Sequence, residues 1–428
     1  MEKFVINGGI PIKGELIPSG NKNAALPIMA ASLLTSDPVI LHNIPDILDV
    51  RTMIKLLQSL NVKIEYLDDK SIQMDASDIQ PANLDPELCK NIRASILLAG
   101  PLISRVGDFI LPPPGGDVIG RRRLDTHILA FSRLGVRSHF TDKNQFHFKA
   151  NGIKGSEILL DEASVTATEN AIMACVLAKG DSTLKNAASE PHIQELCKFL
   201  NLLGAKIENI GSNTLHISGV TNLHGGEFTI GPDYLEVVSY IGAAVVTGGS
   251  IRIKNAGVKH LDMISLVMNR LGVHWETEDD DVIVPDKQIL LIEPDLGNAI
   301  PEISVMPWPA FPTDLMSIAI VIATQAKGSI LFHDWMYPSR MYFTDKLVGM
   351  GAQIVLCDPH RCIVQGPTML NGEHLESPDI RAGMALLIAA LSAKGQSIIG
   401  NISQIDRGYQ HVDKKLIALG ADIVRKKE

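Results

Sequence analysis

One pattern recurs six times along the chain and limits what it can fold into. An apolar run with helical spacing ends at a Leu-Gly-Ala type turn and passes into an alternating, strand-like run. The copies are Ile54–Ile64, Ile128–Arg137, Leu196–Ile207, Ile264–His274, Lys346–Ile354 and Lys414–Ile423. The spacing predicts a helix that buries one face. The glycine predicts a left-handed residue just past the helix end, a position that disfavours side chains bearing a Cβ. The first copy has Asn61 at that point, the next-best residue for such a backbone.

A second segment alternates with the first. Runs rich in small apolar residues occupy 24–34, 94–103, 167–178, 237–246, 315–323 and 382–393, and several lead into β-branched runs such as Ser250-Ile-Arg-Ile253. Small residues let helices approach closely, so these read as buried helices beside strands, and the fold class is α/β. A repeat of about 70 residues is well above the usual solenoid period. A six-unit solenoid is one arrangement. Two three-unit domains facing a shared cleft suit the distinct polar inserts and the lack of polar end caps better. The natural break is near Gly231-Pro232-Asp233.

A chain of 428 residues is long enough for two cores. Its net charge of -9 and the absence of a basic stripe argue against nucleic-acid binding. The densest basic run, Arg121-Arg122-Arg123, reads alone as a solvated loop. The five cysteines (Cys89, Cys175, Cys197, Cys357, Cys362) are odd in number and lack C-x-x-C spacing, so neither a disulfide framework nor a zinc site is expected. Cys175 reads as a buried thiol. The first residues lack the apolar stretch of a signal peptide, and no run reaches the roughly 20 residues of a membrane span. The expectation is a cytoplasmic enzyme or binding protein without membrane insertion.

The polar inserts before the small-residue helices hold the chemistry-bearing residues. Lys22, in Ser19-Gly-Asn-Lys-Asn23, enters the N-terminal end of a buried helix. The helix dipole disfavours a cation there, so the lysine needs an anionic partner, and a phosphate suits the position. Arg93 follows in Asn91-Ile-Arg. The segment Pro112-Pro-Pro-Gly-Gly-Asp117 to Asp125 holds two acids and three arginines on a loop whose glycines allow it to close over an anion. Its simpler alternative is a hairpin with exposed charges. Asp314 stands before an apolar helix, where an N-cap is the common role. Arg340, Arg381 and Arg407 recur in later inserts. Such arginines in an acidic protein predict a local electropositive pocket for a substrate bearing carboxylate and phosphate.

The stretches Ser19-Gly-Asn-Lys-Asn-Ala-Ala-Leu-Pro27, Arg93-Ala-Ser95, Pro114-Gly-Gly-Asp-Val-Ile-Gly120, Phe311-Pro-Thr-Asp314, Asp379-Ile-Arg381 and Ile405-Asp-Arg-Gly-Tyr409 resemble the UDP-N-acetylglucosamine 1-carboxyvinyltransferase family of enolpyruvyl transferases. The match runs in order from end to end. The Lys-Ser-Ile-Ser type motif of the related enzymes acting on shikimate 3-phosphate is absent. The resemblance implies an inside-out α/β barrel in two domains, each of three βαβαββ repeats. One domain would span residues 22–232 and carry the Asp117 loop. The other would join 1–21 to 233–428, with the active site in the cleft between the two.

The resemblance also implies roles. Lys22, Arg122 and Arg407 would bind the phosphate of phosphoenolpyruvate. Arg340 and Arg381, with Arg407 as a third, would hold its carboxylate. Asn23 and Asp314 would face the sugar hydroxyl, with Asp314 as base and Asp117 as the loop acid. Lys22 and Arg407 count among the catalytic groups. Arg93, Arg122, Arg123, Leu124, Asp125, Thr126, Ser164, Val165 and Thr166 would hold the UDP part, and Glu190, Asp233, Met336 and Asp379 complete the substrate-binding set. The partners are phosphoenolpyruvate and UDP-N-acetylglucosamine, with no cofactor and no metal. Three departures stand out: Asp117 where many relatives carry a fosfomycin-reactive cysteine, Glu162 where a lysine is common, and Thr166 for a glycine. The last two bear on the nucleotide side. They leave open transfer to another nucleotide or sugar, and a catalytically silent UDP-sugar-binding regulator.

Overall fold

The computed structural model describes residues 2–81, 84–116 and 123–427. All six predicted turns form. Asn61, Gly135, Gly204, Gly272, Gly351 and Gly420 have φ of 70°, 86°, 101°, 79°, 106° and 92°. In each, the next residue donates its N–H back to the carbonyl five residues earlier, as in Val62 to Leu57 at 3.1 Å and Ala421 to Leu416 at 3.0 Å. This bond satisfies a helix-end carbonyl. The donating residue is Val or Ala each time, and all six are buried, which explains the apolar residue that follows the turn. The helix before it is amphipathic. Leu48–Ser59 buries Val50, Met53, Ile54 and Leu57 and exposes Arg51, Lys55 and Gln58.

The described chain forms five four-stranded sheets and one three-stranded sheet. Each four-stranded sheet begins with a parallel pair and continues with two antiparallel neighbours. Glu157–Leu159 runs parallel to Asp181–Lys185, which pairs antiparallel with Thr214–Ser218, and that strand with Lys206–Glu208. Parallel pairs also join Gly226–Thr229 to Val39–His42, Lys13–Leu16 to Ser250–Ile253, Glu302–Ser304 to Gly328–His333 and His374–Glu376 to Gln396–Gly400. Asp108–Leu111, Phe146–Lys149 and Arg137–Phe140 make the smaller sheet.

Two compact units result. One joins the described residues of Met1–Ser19 to those of Pro232–Glu428, and the other lies between Gly20 and Gly231. In the first, Glu2–Asn7 pairs antiparallel with both Gln396–Gly400 and Asp422–Lys427, so chain-distant segments share one sheet. Its core holds the helices Tyr234–Thr247, Met316–Gln325 and Ile380–Ser392, buried along nearly their whole length. A Cβ on Gly242 would lie 2.8 Å from Ile318 Cγ2, which shows how closely two of these helices pass. The second unit has its own core around the helices Lys22–Ala31, Ala99–Arg105 and Val165–Cys175. Each fully buried Leu or Ile contributes roughly 1.5–3 kcal/mol. Cys175 lies in this core as an inert thiol, pushed up to about 11 by burial. Among the described residues no helix is long and apolar enough to cross a membrane.

Candidate active site

In the unit that contains both chain ends, a carboxylate sits between two arginines. Asp314 lies in the short 3-10 turn Thr313–Leu315 that leads into Met316–Gln325. Arg381 enters from the first turn of Ile380–Ser392, and Arg340 from the turn Arg340–Phe343. Arg340 Nη2 donates to Asp314 Oδ1 at 3.0 Å. Arg381 Nε and Nη2 both reach Oδ2, at 3.1 and 3.0 Å. Both arginines are buried, 4% and 6% exposed, while the Asp314 side chain keeps 28% of its surface. Burial alone would depress the Arg381 guanidinium, but Asp314, Tyr409 and Asp233 hold it well above its ordinary value.

The N-cap reading of Asp314 is overturned. Among the described residues no side chain caps this helix, and the Asp314 carboxylate is aimed at the two arginines instead. The true caps are Asp379 and Asp233. Asp379 accepts from the N–H groups of Arg381 and Ala382 at 2.8 and 3.0 Å, which seats Arg381 at the helix start. Asp233 accepts from Leu235 and Glu236 at 2.9 and 3.4 Å. Burial pushes the Asp233 carboxyl up, and the Arg381 charge opposes that rise. Met336 donates its N–H to the fully buried Asp334 at 3.0 Å, and the same carboxylate takes the Thr313 hydroxyl. Asp334 thus ties the segment before Arg340 to the turn that carries Asp314. Arg340 Nε is buried and makes no hydrogen bond among the described residues. A charged donor left unmade costs about 1–3 kcal/mol or more, a demand that an anionic ligand would meet. Arg407 Nη1 donates to Gln404 at 2.9 Å and is half-buried.

In the other unit, Lys22 opens the helix Lys22–Ala31 and meets Asp49 at 2.8 Å. Both side chains are nearly buried, 11% and 6% exposed. The anionic partner demanded by the helix dipole is therefore a carboxylate in the first turn of Leu48–Ser59. Asn21 caps the lysine's helix through the N–H groups of Asn23 and Ala24. Arg93 Nη2 donates to the Arg123 carbonyl at 3.1 Å. Arg123 pairs with Asp125 at 3.1 Å and Asp161 at 3.4 Å, and Thr126 donates to Asp161 at 2.7 Å. Leu124 and Val165 pack half-buried on the core, and Ser164 caps the helix Val165–Cys175.

Thr166 has a partner that sequence reasoning missed. His127 Nδ1 accepts from the Asn170 amide at 3.0 Å, so its proton sits on Nε2 and is donated to Thr166 Oγ1 at 3.1 Å. Burial, with Arg93 nearby, lowers His127 to about 3, so the ring is neutral. Glu190 stands at the N-cap position of Pro191–Leu202. The buried Glu169 lies within its electrostatic reach and is raised well above the carboxylate range, by burial first and Glu190 second.

Asp117 and Arg122 lie outside the described residues. The glycines before Asp117 pack tightly against a neighbouring segment. A Cβ on Gly115 would sit 1.7 Å from the Lys90 carbonyl oxygen, and Gly116, at φ +98°, lies against Arg93. Close backbone packing requires glycine at both, and the positive φ requires it again at Gly116. Among the described residues no three His, Cys, Asp or Glu side chains cluster as a metal ion would need.

Residues 6–416 match the family model of EPSP synthase (3-phosphoshikimate 1-carboxyvinyltransferase). The chain is 53% identical over 423 residues to a UDP-N-acetylglucosamine 1-carboxyvinyltransferase of Bradyrhizobium diazoefficiens, covering 99% of this chain and 98% of that one. It is 50% identical over 428 residues to the protein of the same name from Treponema denticola, covering all of both. Among solved structures, the enolpyruvyl transferase NikO from Streptomyces tendae superposes with a TM-score of 0.89 at 25% identity, over 100% of this chain and 99% of that one. EPSP synthase from Acinetobacter baumannii, at 16% identity with a TM-score of 0.74 over the whole of both chains, shares the fold. The chain therefore belongs to the EPSP synthase family of enolpyruvyl transferases, among its UDP-N-acetylglucosamine 1-carboxyvinyltransferases.

Proposed function

We propose that this chain transfers the enolpyruvyl group of phosphoenolpyruvate to the 3-hydroxyl of UDP-N-acetylglucosamine and releases phosphate, the first committed step of peptidoglycan synthesis. The observation that carries this reading is identity at about half of all positions, over the full length, with proteins of that name. The reaction is assigned to the cytoplasm, in keeping with the absence of a membrane-spanning helix among the described residues. The fine architecture that accompanies it is an inside-out barrel of three βαβαββ repeats in each domain, supported by the common strand order of the four-stranded sheets.

The site chemistry follows from the residue types. Asp314 takes the proton from the sugar hydroxyl as its oxygen bonds to the central carbon of phosphoenolpyruvate. Asp117 delivers a proton to the terminal carbon, and a tetrahedral ketal forms. Loss of a proton from that carbon and of inorganic phosphate restores the double bond, now on the sugar ether. Arg340, Arg381 and Arg407 hold the carboxylate, and Lys22, Arg122 and Arg407 the phosphate. Arginine suits both anions because its planar fork binds two oxygens at once. Fixed charges aimed where charge develops lower the barrier without reorganising. Arg93, Arg123, Leu124, Asp125, Thr126, Ser164, Val165 and Thr166 serve the nucleotide. Asn23, Glu190, Asp233, Met336 and Asp379 complete the site, and the two caps act by shaping the backbone. Phosphate release, measured with and without acceptor, tests the reading. Release only with UDP-N-acetylglucosamine supports it, and release with another nucleotide sugar alone moves the acceptor to that compound.

A further inference from the structure

Tyr409 closes the family-like stretch Ile405-Asp-Arg-Gly-Tyr409, and neither the expected roles nor the proposed mechanism uses it. It is 3% exposed, and its hydroxyl lies among groups that fix the direction of every hydrogen bond. Ser239 Oγ donates to the Leu235 carbonyl at 2.7 Å. Its contact with Tyr409 Oη at 3.0 Å is therefore one in which the phenol donates. Arginine carries no acceptor, so Arg381 Nη1 donates to Tyr409 Oη at 3.4 Å. One chain of protons runs from Arg381 through Tyr409 and Ser239 to a carbonyl of the buried helix Tyr234–Thr247.

Two further observations make Tyr409 a fixed reference point for Arg381. The guanidinium carbon lies 5.8 Å from the centroid of the Tyr409 ring. Gly408 presses the Tyr409 segment onto the start of the Arg381 helix, since a Cβ there would come within 2.5 Å of Ile380 Cγ2. With Nε and Nη2 on Asp314 and Nη1 on Tyr409, the plane of the fork is set from both sides. Tyr409 is also two residues from Arg407, so one side chain ties the segments of two proposed anion-binding arginines together.

We propose that Tyr409 is a positioning residue for enolpyruvyl transfer, its hydroxyl holding the Arg381 guanidinium in the plane that receives the carboxylate of phosphoenolpyruvate. This rests on the proposed function, in which Arg381 binds that carboxylate. The experiment compares steady-state phosphate release by the full chain, Tyr409→Phe and Ser239→Ala, varying each substrate in turn, with melting temperatures alongside. Failure of the unsubstituted chain to release phosphate counts against the function and thereby against the proposal. In an active enzyme, Tyr409→Phe keeps the ring and is expected to raise KM for phosphoenolpyruvate about tenfold, the scale of one hydrogen bond to a charged group. KM for UDP-N-acetylglucosamine should stay within about twofold. Ser239→Ala removes only the far end of the chain and should shift the same constant in the same direction by less. An unchanged phosphoenolpyruvate KM in Tyr409→Phe overturns the proposal. So does an equal rise in both KM values with a lowered melting temperature, which marks a role in folding alone.

Discussion

Arg381 places two N–H groups on one oxygen of Asp314, at 3.1 and 3.0 Å, while Arg340 holds the other oxygen at 3.0 Å. A lysine cannot reproduce that fork, because its ammonium is a point charge on a flexible stem. Arg381→Lys should therefore lose at least about 100-fold in kcat/KM while remaining folded, the scale of removing an aligned charged contact in a preorganised site. Circular dichroism and phosphate-release kinetics check this. Activity within threefold would show that the fork does not matter.

The buried pair Lys22–Asp49 makes a stability prediction. Asp49→Ala leaves a cation at a helix N-terminus with its carboxylate removed, and breaking a buried pair costs about 3–5 kcal/mol. Asp49→Asn keeps a hydrogen-bond acceptor and should cost less. Urea unfolding followed by fluorescence gives the ranking, and equal midpoints for all three proteins would contradict it.

Much of the fold was legible in sequence because its rule is local. A glycine or asparagine after an apolar helix specifies a left-handed residue, and all six such positions adopt it. The burial of the small-residue helices was legible for the same reason. The site was legible in its residue types but not in its pairings. Lys22 called for an anion, yet nothing local could single out Asp49 among the acids. Asp314 looked like a cap because its partners Arg340 and Arg381 are remote in sequence. The packing of Gly115 and Gly116 against the Lys90–Arg93 backbone was not legible, because that segment cannot be seen from the loop itself.

Glu169 sets a pH dependence. Its folded-state carboxyl is raised well above the ordinary value, and its Oε1 has no hydrogen bond among the described residues. A raised pKa means the folded state binds the proton more tightly. The resulting stability is full below the unfolded value and is lost as pH rises through the folded one. Glu169→Gln should flatten the fall in unfolding free energy above about pH 5 and be more stable than the unsubstituted chain at the alkaline end. Parallel pH profiles for the two proteins would show that Glu169 does not titrate in this way.

The residue at 117 makes a chemical prediction. A carboxylate is a far weaker nucleophile toward an epoxide than a thiolate. The protein should keep its activity in fosfomycin, and Asp117→Cys should stay active and be inactivated with time. Asp117→Ala should be nearly inactive. Intact-protein mass spectrometry of Asp117→Cys should show one adduct at that residue. An active alanine variant together with an unlabelled cysteine variant would remove Asp117 from the chemistry.

The central claim is enolpyruvyl transfer to UDP-N-acetylglucosamine, and one measurement tests it most directly. The purified chain is incubated with phosphoenolpyruvate and UDP-N-acetylglucosamine, and the nucleotide product is weighed by mass spectrometry while phosphate is counted. The account predicts a UDP-sugar heavier by one enolpyruvyl group, formed in equal amount with phosphate and absent when either substrate is left out. No such product, with no phosphate released from any nucleotide sugar, would contradict it.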